Sequence, residues 1–413
     1  MSPNDSIDRN VPALVGCLQR LVRIPTVNPP GENYDAMTKL LVREMEHVGL
    51  TARRYPIPRA LLQHSLPPDQ HGYPRYNVVG KRRVRGARKT LHFNAHYDVV
   101  PVSGKWRMGD PFSGKVRGGW IHGRGTVDMK GSMASLLAAL RALLVTGVDP
   151  LMNVEVSFTA DEETDSRLGA HWLVDQAPIS PDYAVVMEGG EGNAICCGHN
   201  GTLWLEVVVH GRAAHGSRPQ DGVNALEQMA SLVLELERYK RQIARHTFLT
   251  PEHKTLRATI NVGGVFGCGP GAKINTVPAL ASFTIDRRVL AVENHAEAER
   301  DLREFLAAAA HRIPGCRISV RKISENFACF TPPDHPFFAA MAECVGKVRR
   351  QATVFNVSSG FNDVHYFARH LHIPTLGYGP GGVDYHAVDE RAEIKELKAS
   401  AKIYARLLTT FAG

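Results

Sequence analysis

The chain has 413 residues, more than the size at which a single hydrophobic core usually stops growing, so two domains are expected. Its 44% hydrophobic and 22% charged residues are ordinary for a globular protein. No apolar stretch reaches the roughly 18 residues of a membrane-spanning helix. The polar N-terminus also lacks the apolar core of a signal peptide, which predicts a cytoplasmic protein with no membrane partner.

The formal net charge of +8 raises the question of an anionic partner. The densest basic run, residues 81–89, contains Gly86, lies between two strand-like segments and has no interleaved aromatic residue. This pattern is typical of a solvated hairpin tip, so no nucleic-acid partner is predicted. The seven cysteines are odd in number and lack a C-x-x-C spacing, which argues against a disulfide framework and a thiolate zinc site.

The first part of the chain alternates helix-like and strand-like segments. The expected helices cover residues 11–21, 34–48, 131–145 and 170–176, and the expected strands cover residues 77–79, 91–95, 154–159 and 183–187. This alternation predicts an α/β fold with a mostly parallel sheet that has helices on both faces. The segment Pro56 to Tyr76 matches no regular element and is expected to be a long surface loop.

The pattern changes near residue 199. From there to residue 323 the expected order is β-α-β-β-α-β, which is the ferredoxin-like unit, and the α/β pattern then resumes with helices at 337–349, 363–369 and 393–411. We therefore predict one domain made of residues 1–198 and 324–413, with an inserted ferredoxin-like domain of residues 199–323.

Histidine and acidic side chains follow the predicted strands of the first domain. His96 and Asp98 end one strand and, being two residues apart, point to the same face. Further candidates lie after other strands or in glycine-rich and acidic segments: Asp128, Glu162, Glu163, Glu188 and His386. Because ligands collect at the carboxyl ends of strands in such sheets, these side chains are expected to form one site.

Each candidate also has a purely structural explanation when it is taken alone. Asp128 can be the N-cap of the following helix, and Glu162-Glu163 can be a solvated acidic turn. The combination, however, supplies the mixed histidine and carboxylate ligands that suit zinc, and also cobalt or manganese. Two such ions can share a carboxylate and polarise both a water and a carbonyl, and one further carboxylate is then needed as a base.

Three segments together resemble a known family: residues 95–101, 123–131 and 161–163. They are similar to the acetylornithine deacetylase, succinyl-diaminopimelate desuccinylase, aminoacylase and carboxypeptidase G family of di-zinc amide and peptide hydrolases. The resemblance extends from about Leu18 to the C-terminus. It implies a zinc-hydrolase catalytic domain and an inserted domain that serves as lid and dimerisation domain of a homodimer.

The resemblance also implies a role for each candidate. Asp128 would bridge two divalent ions, most simply zinc, and His96 would bind one of them. Glu163 and His386 would complete one ion, and Glu188 the other.

Two further side chains would serve the reaction itself. Glu162 would be the general base, although spacing alone does not decide between Glu162 and Glu163. Asp98 would orient His96 without touching the metal. The resemblance further implies a cis peptide bond between Asp128 and Met129.

The inserted domain adds candidates for substrate binding. Residues 211–219 resemble the family's lid motif, in which His215 would enter the partner subunit's site and stabilise the tetrahedral oxyanion. Asn275 and Arg288 match residues that bind the substrate carboxylate, and Gly360 matches a substrate-contacting turn. The alternative for His215 is a loop residue that caps the next helix.

These implications predict a metal-dependent hydrolase that cleaves the amide bond of an N-acyl amino acid or a similar small carboxylate. A water bridged by the metals would attack the carbonyl while Glu162 takes its proton. A dipeptidase or carboxypeptidase of the same fold shares every metal ligand and stays open as an alternative. A catalytically inactive scaffold on this fold is disfavoured by the complete set of ligands and the intact Glu162.

Overall fold

The computed structural model describes residues 1–188, 190 and 192–413. The α-helices of this part of the chain are α1 (Pro3–Arg9), α2 (Val11–Val22), α3 (Tyr34–Glu46), α4 (Arg59–Ser65), α5 (Lys130–Thr146), α6 (Trp172–Gln176), α7 (Ala225–Ile243), α8 (His295–Arg312), α9 (Pro336–Arg349) and α10 (Ile394–Thr410). Its strands are β1 (Thr51–Pro56), β2 (Tyr76–Arg82), β3 (Thr90–His96), β4 (Lys115–Arg117), β5 (Trp120–His122), β6 (Asn153–Thr159), β7 (Tyr183–Val186), β8 (Ala194–His199), β9 (Gly201–His210), β10 (Thr247–Leu249), β11 (Thr255–Arg257), β12 (Thr259–Cys268), β13 (Leu280–Val289), β14 (Arg317–Asn326), β15 (Cys329–Phe330), β16 (Val354–Ser358), β17 (Thr375–Gly377), β18 (Gly382–Val383) and β19 (Arg391–Glu393).

The chain divides into two compact units. The first consists of Met1–Cys197, Thr331–Asn356 and Asn362–Gly413, and the second of Gly198–Phe330 and Val357–Phe361. The segment 199–323, which the sequence marks as an insertion, falls inside the second unit.

The first unit is built around a mixed sheet with the strand order β1-β2-β6-β3-β7-β17-β8. Its centre is parallel, since β3 pairs in parallel with both β6 and β7, and β7 pairs in parallel with β17. The flanking pairs β1 with β2, β2 with β6, and β17 with β8 are antiparallel. Every residue of β6 is buried, as expected of a strand covered on both faces. The predicted α/β fold with a mostly parallel sheet is confirmed, and the antiparallel edges are an addition to it.

The register of this sheet decides where the strands end. His96 pairs with Thr159 at the ends of β3 and β6, and Asn94 pairs with Val186 at the end of β7. The segments that leave these three strands therefore start from the same edge of the sheet.

The second unit has an antiparallel sheet with the order β12-β13-β9-β14. Helices α7 and α8 share one apolar core with this sheet, which includes Leu232, Leu236, Leu302, Leu306 and Phe283. The predicted β-α-β-β-α-β order is confirmed, and the hairpin of β10 and β11 is inserted into it.

The expected loop from Pro56 to Tyr76 is wrong. It contains α4 and a 3-10 turn at Pro68–Gln70. The run Ala60-Leu61-Leu62-Gln63 consists of good helix formers, and the neighbouring prolines flank it without interrupting it. Leu62 is buried and belongs to a small apolar cluster with Ile57 and Leu168. Burial of this side chain stabilises the short helix.

Two predicted helices of the first unit are also modified. Residues Arg167–His171 form a kinked segment directly before α6, in which Gly169 is not helical, and residues Tyr366–His370 form a π-helical turn. Among the described residues, no helix is long and apolar enough to cross a membrane.

Candidate metal centre

Ligand-type side chains of the first unit converge at the edge where β3, β6 and β7 end. His96 is the last residue of β3, the 3-10 turn Glu162–Thr164 follows β6, and Glu188 follows β7. The remaining two predicted ligands come from connecting segments: Asp128 precedes α5, and His386 lies in the loop of the hairpin formed by β18 and β19.

Asp128 lies between two imidazoles. Its Oδ1 is 3.0 Å from Nε2 of His96, and its Oδ2 is 2.9 Å from Nε2 of His386. Nε2 of His386 is also 3.1 Å from Oε2 of Glu163. Ligand atoms of His96, Asp128 and Glu163 all lie within 4.8 Å of one another. One oxygen of Asp128 thus faces each histidine, which is the arrangement that a carboxylate shared by two ions requires.

The N-cap explanation of Asp128 is wrong. Helix α5 begins at Lys130, Met129 occupies the cap position, and no side chain caps the helix there. The peptide bond between Asp128 and Met129 is cis, as the resemblance implies. Because it caps no helix, the carboxylate of Asp128 is available to the two histidines.

A buried ion pair fixes the backbone that carries Asp128. The carboxylate of Glu390 lies 2.6 Å from Nη1 of Arg124 and accepts hydrogen bonds from the backbone N–H groups of Gly125, Val127 and Asp128 at 3.1, 2.9 and 3.3 Å. Glu390 is fully buried. Sequence reasoning missed this positioning role, and the acidic pair Asp389-Glu390 beside His386 was the only available signal.

Asp98 holds two parts of the site together. Nδ1 of His96 lies 3.1 Å from the backbone oxygen of Asp98 and 3.4 Å from its carboxylate. The same carboxylate accepts hydrogen bonds from the backbone N–H groups of Glu162 and Glu163, each at 3.2 Å. Because Nδ1 faces Asp98, Nε2 of His96 is directed at Asp128.

Asp161 is a second anchor that the sequence did not reveal. This buried residue has a left-handed backbone (φ 58°) at the start of the Glu162–Thr164 turn. Its carboxylate pairs with the buried Arg75 at 2.9 Å and accepts a hydrogen bond from the hydroxyl of Tyr34 at 2.9 Å. Asn28 bridges the two anchors, since its amide donates to both Asp161 and Asp98. Arg75 closes the segment that was expected to be a loop, so no pattern pointed to it.

Burial dominates the acid–base properties of the three glutamates. It raises the pKa of Glu163 to about 7 and the pKa values of Glu162 and Glu188 well above their usual range. Neighbouring carboxylates raise the three pKa values further. A group of acids so arranged is stabilised in its ionised form only by cations.

In the protein without metal, His96 and His386 supply positive charge next to these carboxylates. Hydrogen bonds to Asp128 and Glu163 raise the pKa of His386 to about 10. Burial acts to lower the pKa of His96, but its hydrogen bonds to Asp128 and Asp98 raise it well above the usual range. Burial acts to raise the pKa of Asp128, yet the hydrogen bonds from both histidines lower it.

The donor set fits divalent ions. It combines imidazole nitrogens with carboxylate oxygens, as zinc, cobalt and manganese sites do. In addition, Oε2 of Glu188 is buried and has no hydrogen-bond partner among the described residues. A buried carboxylate oxygen is costly without a partner, and an ion beside Asp128 would supply one.

The residues predicted in the second unit are placed differently. His215 and Asn275 are exposed neighbours: His215 pairs with Thr276, and the N–H of Gly216 donates to the backbone oxygen of Asn275 at 2.7 Å. Nδ1 of His215 lies 2.8 Å from the hydroxyl of Ser217.

The other two lie elsewhere in that unit. Arg288 is half-buried in β13 and pairs with Asp286 at 2.9 Å. Gly360 lies in a turn in which its N–H donates to the hydroxyl of Ser358 at 3.1 Å.

Comparison with known proteins supplies the family. A model of the peptidase family M20/M25/M40 matches residues 92–410. The chain belongs to this family. The resemblance seen in the sequence is thereby confirmed, and this M20 family member is a metal-dependent hydrolase.

Relatives and solved structures of the family extend over almost the whole chain. A succinyl-diaminopimelate desuccinylase of Cereibacter sphaeroides is 28% identical over 405 residues, which cover 95% of this chain and 97% of the relative. The crystal structure of the M20 family metallo-carboxypeptidase Sso-CP2 from Sulfolobus solfataricus superimposes with a TM-score of 0.75 at 20% identity, covering 96% and 98% of the two chains. That of the Bacillus subtilis YXEP protein, a dinuclear metal binding peptidase from the M20 family, has a TM-score of 0.67 at 15% identity, covering 97% and 98%.

Proposed function

We propose that this M20 family member hydrolyses the amide bond of an N-acyl amino acid or a similar small carboxylate, with Glu162 as the general base. The similarity to a desuccinylase over 95% of the chain supports an acyl group on an amino acid as the substrate class. A dipeptidase or carboxypeptidase activity is the alternative.

The observation that carries the assignment is the division between the two adjacent glutamates. Glu163 lies 3.1 Å from His386 and shares that histidine with Asp128. The carboxylate of Glu162, in contrast, lies 3.9 Å from Nε2 of His96, beyond hydrogen-bond distance. Glu162 is thus the acid of the pair that makes no hydrogen bond to a histidine, and burial raises its pKa above the usual range, which strengthens it as a base.

The proposed metal sites use the five predicted ligands. Asp128 would be shared, His96 and Glu188 would hold one ion, and Glu163 and His386 the other. We propose zinc, with cobalt or manganese as alternatives, because imidazole and carboxylate ligands together suit these ions. When bound, the ions polarise the scissile carbonyl and lower the pKa of water.

The side chains of the protein then move and guide the proton. Glu162 accepts a proton from the attacking water and delivers it to the leaving amine, which completes the acid–base cycle on one carboxylate. Asp98 contacts Nδ1 of His96 and accepts a hydrogen bond from the backbone N–H of Glu162. The proposed base Glu162 and the proposed ligand His96 are thus held at a fixed distance from each other.

The residues of the second unit support a homodimer. Leu280, near the His215 and Asn275 end, pairs with His210, whereas Arg288 pairs with Thr202 at the other end of the same strands. At about 3.3 Å per residue, Arg288 lies roughly 26 Å along β13 from Leu280. One small substrate cannot touch both ends, so we propose that His215 and Asn275 act on the substrate of a second copy of the chain.

A substrate panel tests the reaction. Chelator-treated protein is reloaded with zinc and incubated with N-succinyl amino acids, N-acetyl amino acids and dipeptides at neutral pH and in reducing buffer, as expected for a cytoplasmic enzyme. We expect turnover of the N-acyl amino acids, and a preference for dipeptides would establish the peptidase alternative. Loss of all turnover is expected when the chelator is left in place.

A substitution tests the base. Glu162→Gln is expected to lower kcat by about 10²–10⁴-fold, the usual contribution of a general base, with both metal equivalents retained. The matched control is Glu304→Gln. Glu304 lies on α8 with a side chain that is 71% exposed, so this variant should be fully active. Full turnover of Glu162→Gln would overturn the mechanism.

A further inference from the structure

A second cluster of metal-ligating side chains lies in the first unit, outside the site described above. Among the described residues, His171, Asp175 and His370 form a group whose ligand atoms all lie within 4.8 Å of one another. None of the three belongs to the proposed catalytic set.

The geometry of this cluster parallels that around Asp128. Oδ2 of Asp175 is 3.4 Å from Nε2 of His171, and Oδ1 of Asp175 is 3.8 Å from Nδ1 of His370. Ligand atoms in a tetrahedral zinc site with bonds of about 2.1 Å are separated by about 3.4 Å. The observed separations are thus close to those that a bound ion imposes.

Two irregular backbone segments bring the ligands together. His171 ends the kinked segment Arg167–His171, in which Gly169 is not helical, and Asp175 follows it by one helical turn in α6. His370 ends the π-helical turn Tyr366–His370. Each segment thus ends on a histidine of the cluster.

Packing orients the imidazoles. The ring of Tyr366 stacks on that of His171, with centroids 5.1 Å apart and an interplanar angle of 16°, and contacts His370 edge to face at 5.4 Å. The tyrosine hydroxyl is itself fixed by a 3.0 Å hydrogen bond to the backbone oxygen of Asp165. The two rings are therefore held in place before any ion arrives, which reduces the entropic cost of binding.

The cluster is also open to solvent. The side chains of His171, Asp175 and His370 are 39%, 46% and 25% exposed, respectively. Water can therefore occupy a remaining coordination position of a bound ion.

We propose that His171, Asp175 and His370 form a third divalent-metal site, of the two-histidine, one-carboxylate type that takes zinc or a similar first-row ion. The ion joins α6 to the π-helical turn Tyr366–His370.

The consequence is a clamp next to the catalytic turn. The residues that precede these two segments are also linked, since the hydroxyl of Ser166 donates to the buried carboxylate of Asp363 at 2.5 Å. Ser166 follows the Glu162–Thr164 turn closely in the chain. An ion at the third site would therefore restrict the segment that continues from Glu162 and Glu163.

Metal stoichiometry tests the proposal. Chelator-treated protein is titrated with Zn²⁺ by calorimetry, and its metal content is measured after gel filtration. The double variant His171→Asn/His370→Asn should bind one equivalent fewer than the unmodified protein. Its affinity for that equivalent should fall by more than about 100-fold, since even loss of an outer partner of a ligand costs about 10–100-fold. Equal stoichiometry in the two proteins would overturn the proposal.

Matched variants separate the sites. His372→Asn replaces an exposed histidine close to His370 but outside the cluster and should keep every equivalent. His96→Ala/His386→Ala should lose catalytic metal yet keep the third equivalent, and loss of all three would overturn the proposal.

A further variant guards against misfolding. Asp175→Asn leaves both imidazoles in place and should still lose the equivalent while α-helical circular dichroism is unchanged. Because none of these readouts uses turnover, they stand or fall independently of the proposed hydrolysis.

Discussion

In the first unit, Asp128 lies within 3.0 Å of both His96 and His386, whereas in the second unit Arg288 and the His215 end of the sheet lie apart along one strand. The first group forms because β3, β6 and β7 end at one edge of the sheet, and connecting segments bring Asp128 and His386 to the same edge. The second group lies on an antiparallel sheet, whose strand ends alternate between two edges. Sheet topology therefore gathers part of the proposed metal ligands but separates the residues proposed to bind substrate.

The two regions also differ in how their charges are satisfied. Arg288 already has a carboxylate partner in Asp286, while the glutamates around Asp128 outnumber the nearby cations. The first region thus requires ions to be stable in its ionised form, and the second does not. Substitutions in the two regions should accordingly have different signatures.

The largest effect is expected from Asp128→Ala. Losing the carboxylate that contacts both histidines should remove both catalytic ions and, with them, several kcal/mol of transition-state stabilisation. This corresponds to a loss of about 10³-fold or more in kcat/KM. Metal analysis together with kinetics measures it, with Asp301→Ala, exposed on α8, as the control. Retention of both catalytic ions in Asp128→Ala would show that this carboxylate is not shared.

The second prediction concerns the other region. His215→Ala should lower kcat by about 10²–10³-fold, as removal of an oxyanion donor does, while metal content stays the same. Because the residue is proposed to act across a dimer, coexpression of His215→Ala with Glu162→Gln should restore activity in mixed dimers, up to about a quarter of the normal level for random pairing of two-fold dimers. Absence of any restoration would place His215 in its own subunit's site or outside the reaction.

The third prediction separates a ligand from the residue that orients it. Asp98→Ala should weaken metal binding and turnover by about 10–100-fold, the typical cost of losing a ligand's hydrogen-bond partner. His96→Ala, by contrast, should empty one metal site. Direct metal titration distinguishes the two variants. Equal metal loss in both would mean that Asp98 itself binds an ion.

The convergence of several candidate residues could be predicted because strand ends can be located from apolar runs, whereas the roles of Asp128 and His386 are implied only by the resemblance. His96, Glu162, Glu163 and Glu188 each follow such a run, and the parallel order of the strands then brings them together. The residues that hold these ligands in place follow no such rule. Glu390 reaches the Asp128 segment across more than 260 residues, and a contact of this range leaves no periodic pattern.

The fold shows the same limit. The β-α-β-β-α-β order could be predicted because each element is long and amphipathic. Helix α4 could not, since its seven residues are surrounded by prolines and are stabilised mainly by the burial of Leu62. Arg75, which pairs with Asp161, was missed for the same reason, because it lies in the segment that looked irregular.

The smallest effect is expected from pH, and it contrasts the two regions in one experiment. In the metal-free protein the pKa of Glu163 is raised by burial from 4.5 to about 7. The folded state then binds more protons than the unfolded state, so stability falls as pH rises from about 5 to above 7. The raised pKa values of Glu162 and Glu188 act in the same direction.

The second unit should not share this dependence. Burial acts to raise the pKa values of Glu293 and Glu299, but their paired basic side chains lower them, so their contribution is complete above about pH 4.5 and constant from pH 5 to 8. Since a shift of one pKa unit corresponds to about 1.4 kcal/mol, we expect the free energy of unfolding of chelator-treated protein, measured with urea, to fall by about 2 kcal/mol over this range. Hydrogen exchange should locate the loss in the first unit. Zinc should abolish it, because the bound ions keep the carboxylates ionised at both pH values. A loss of equal size in the zinc-loaded protein would show that the metal cluster is not its source.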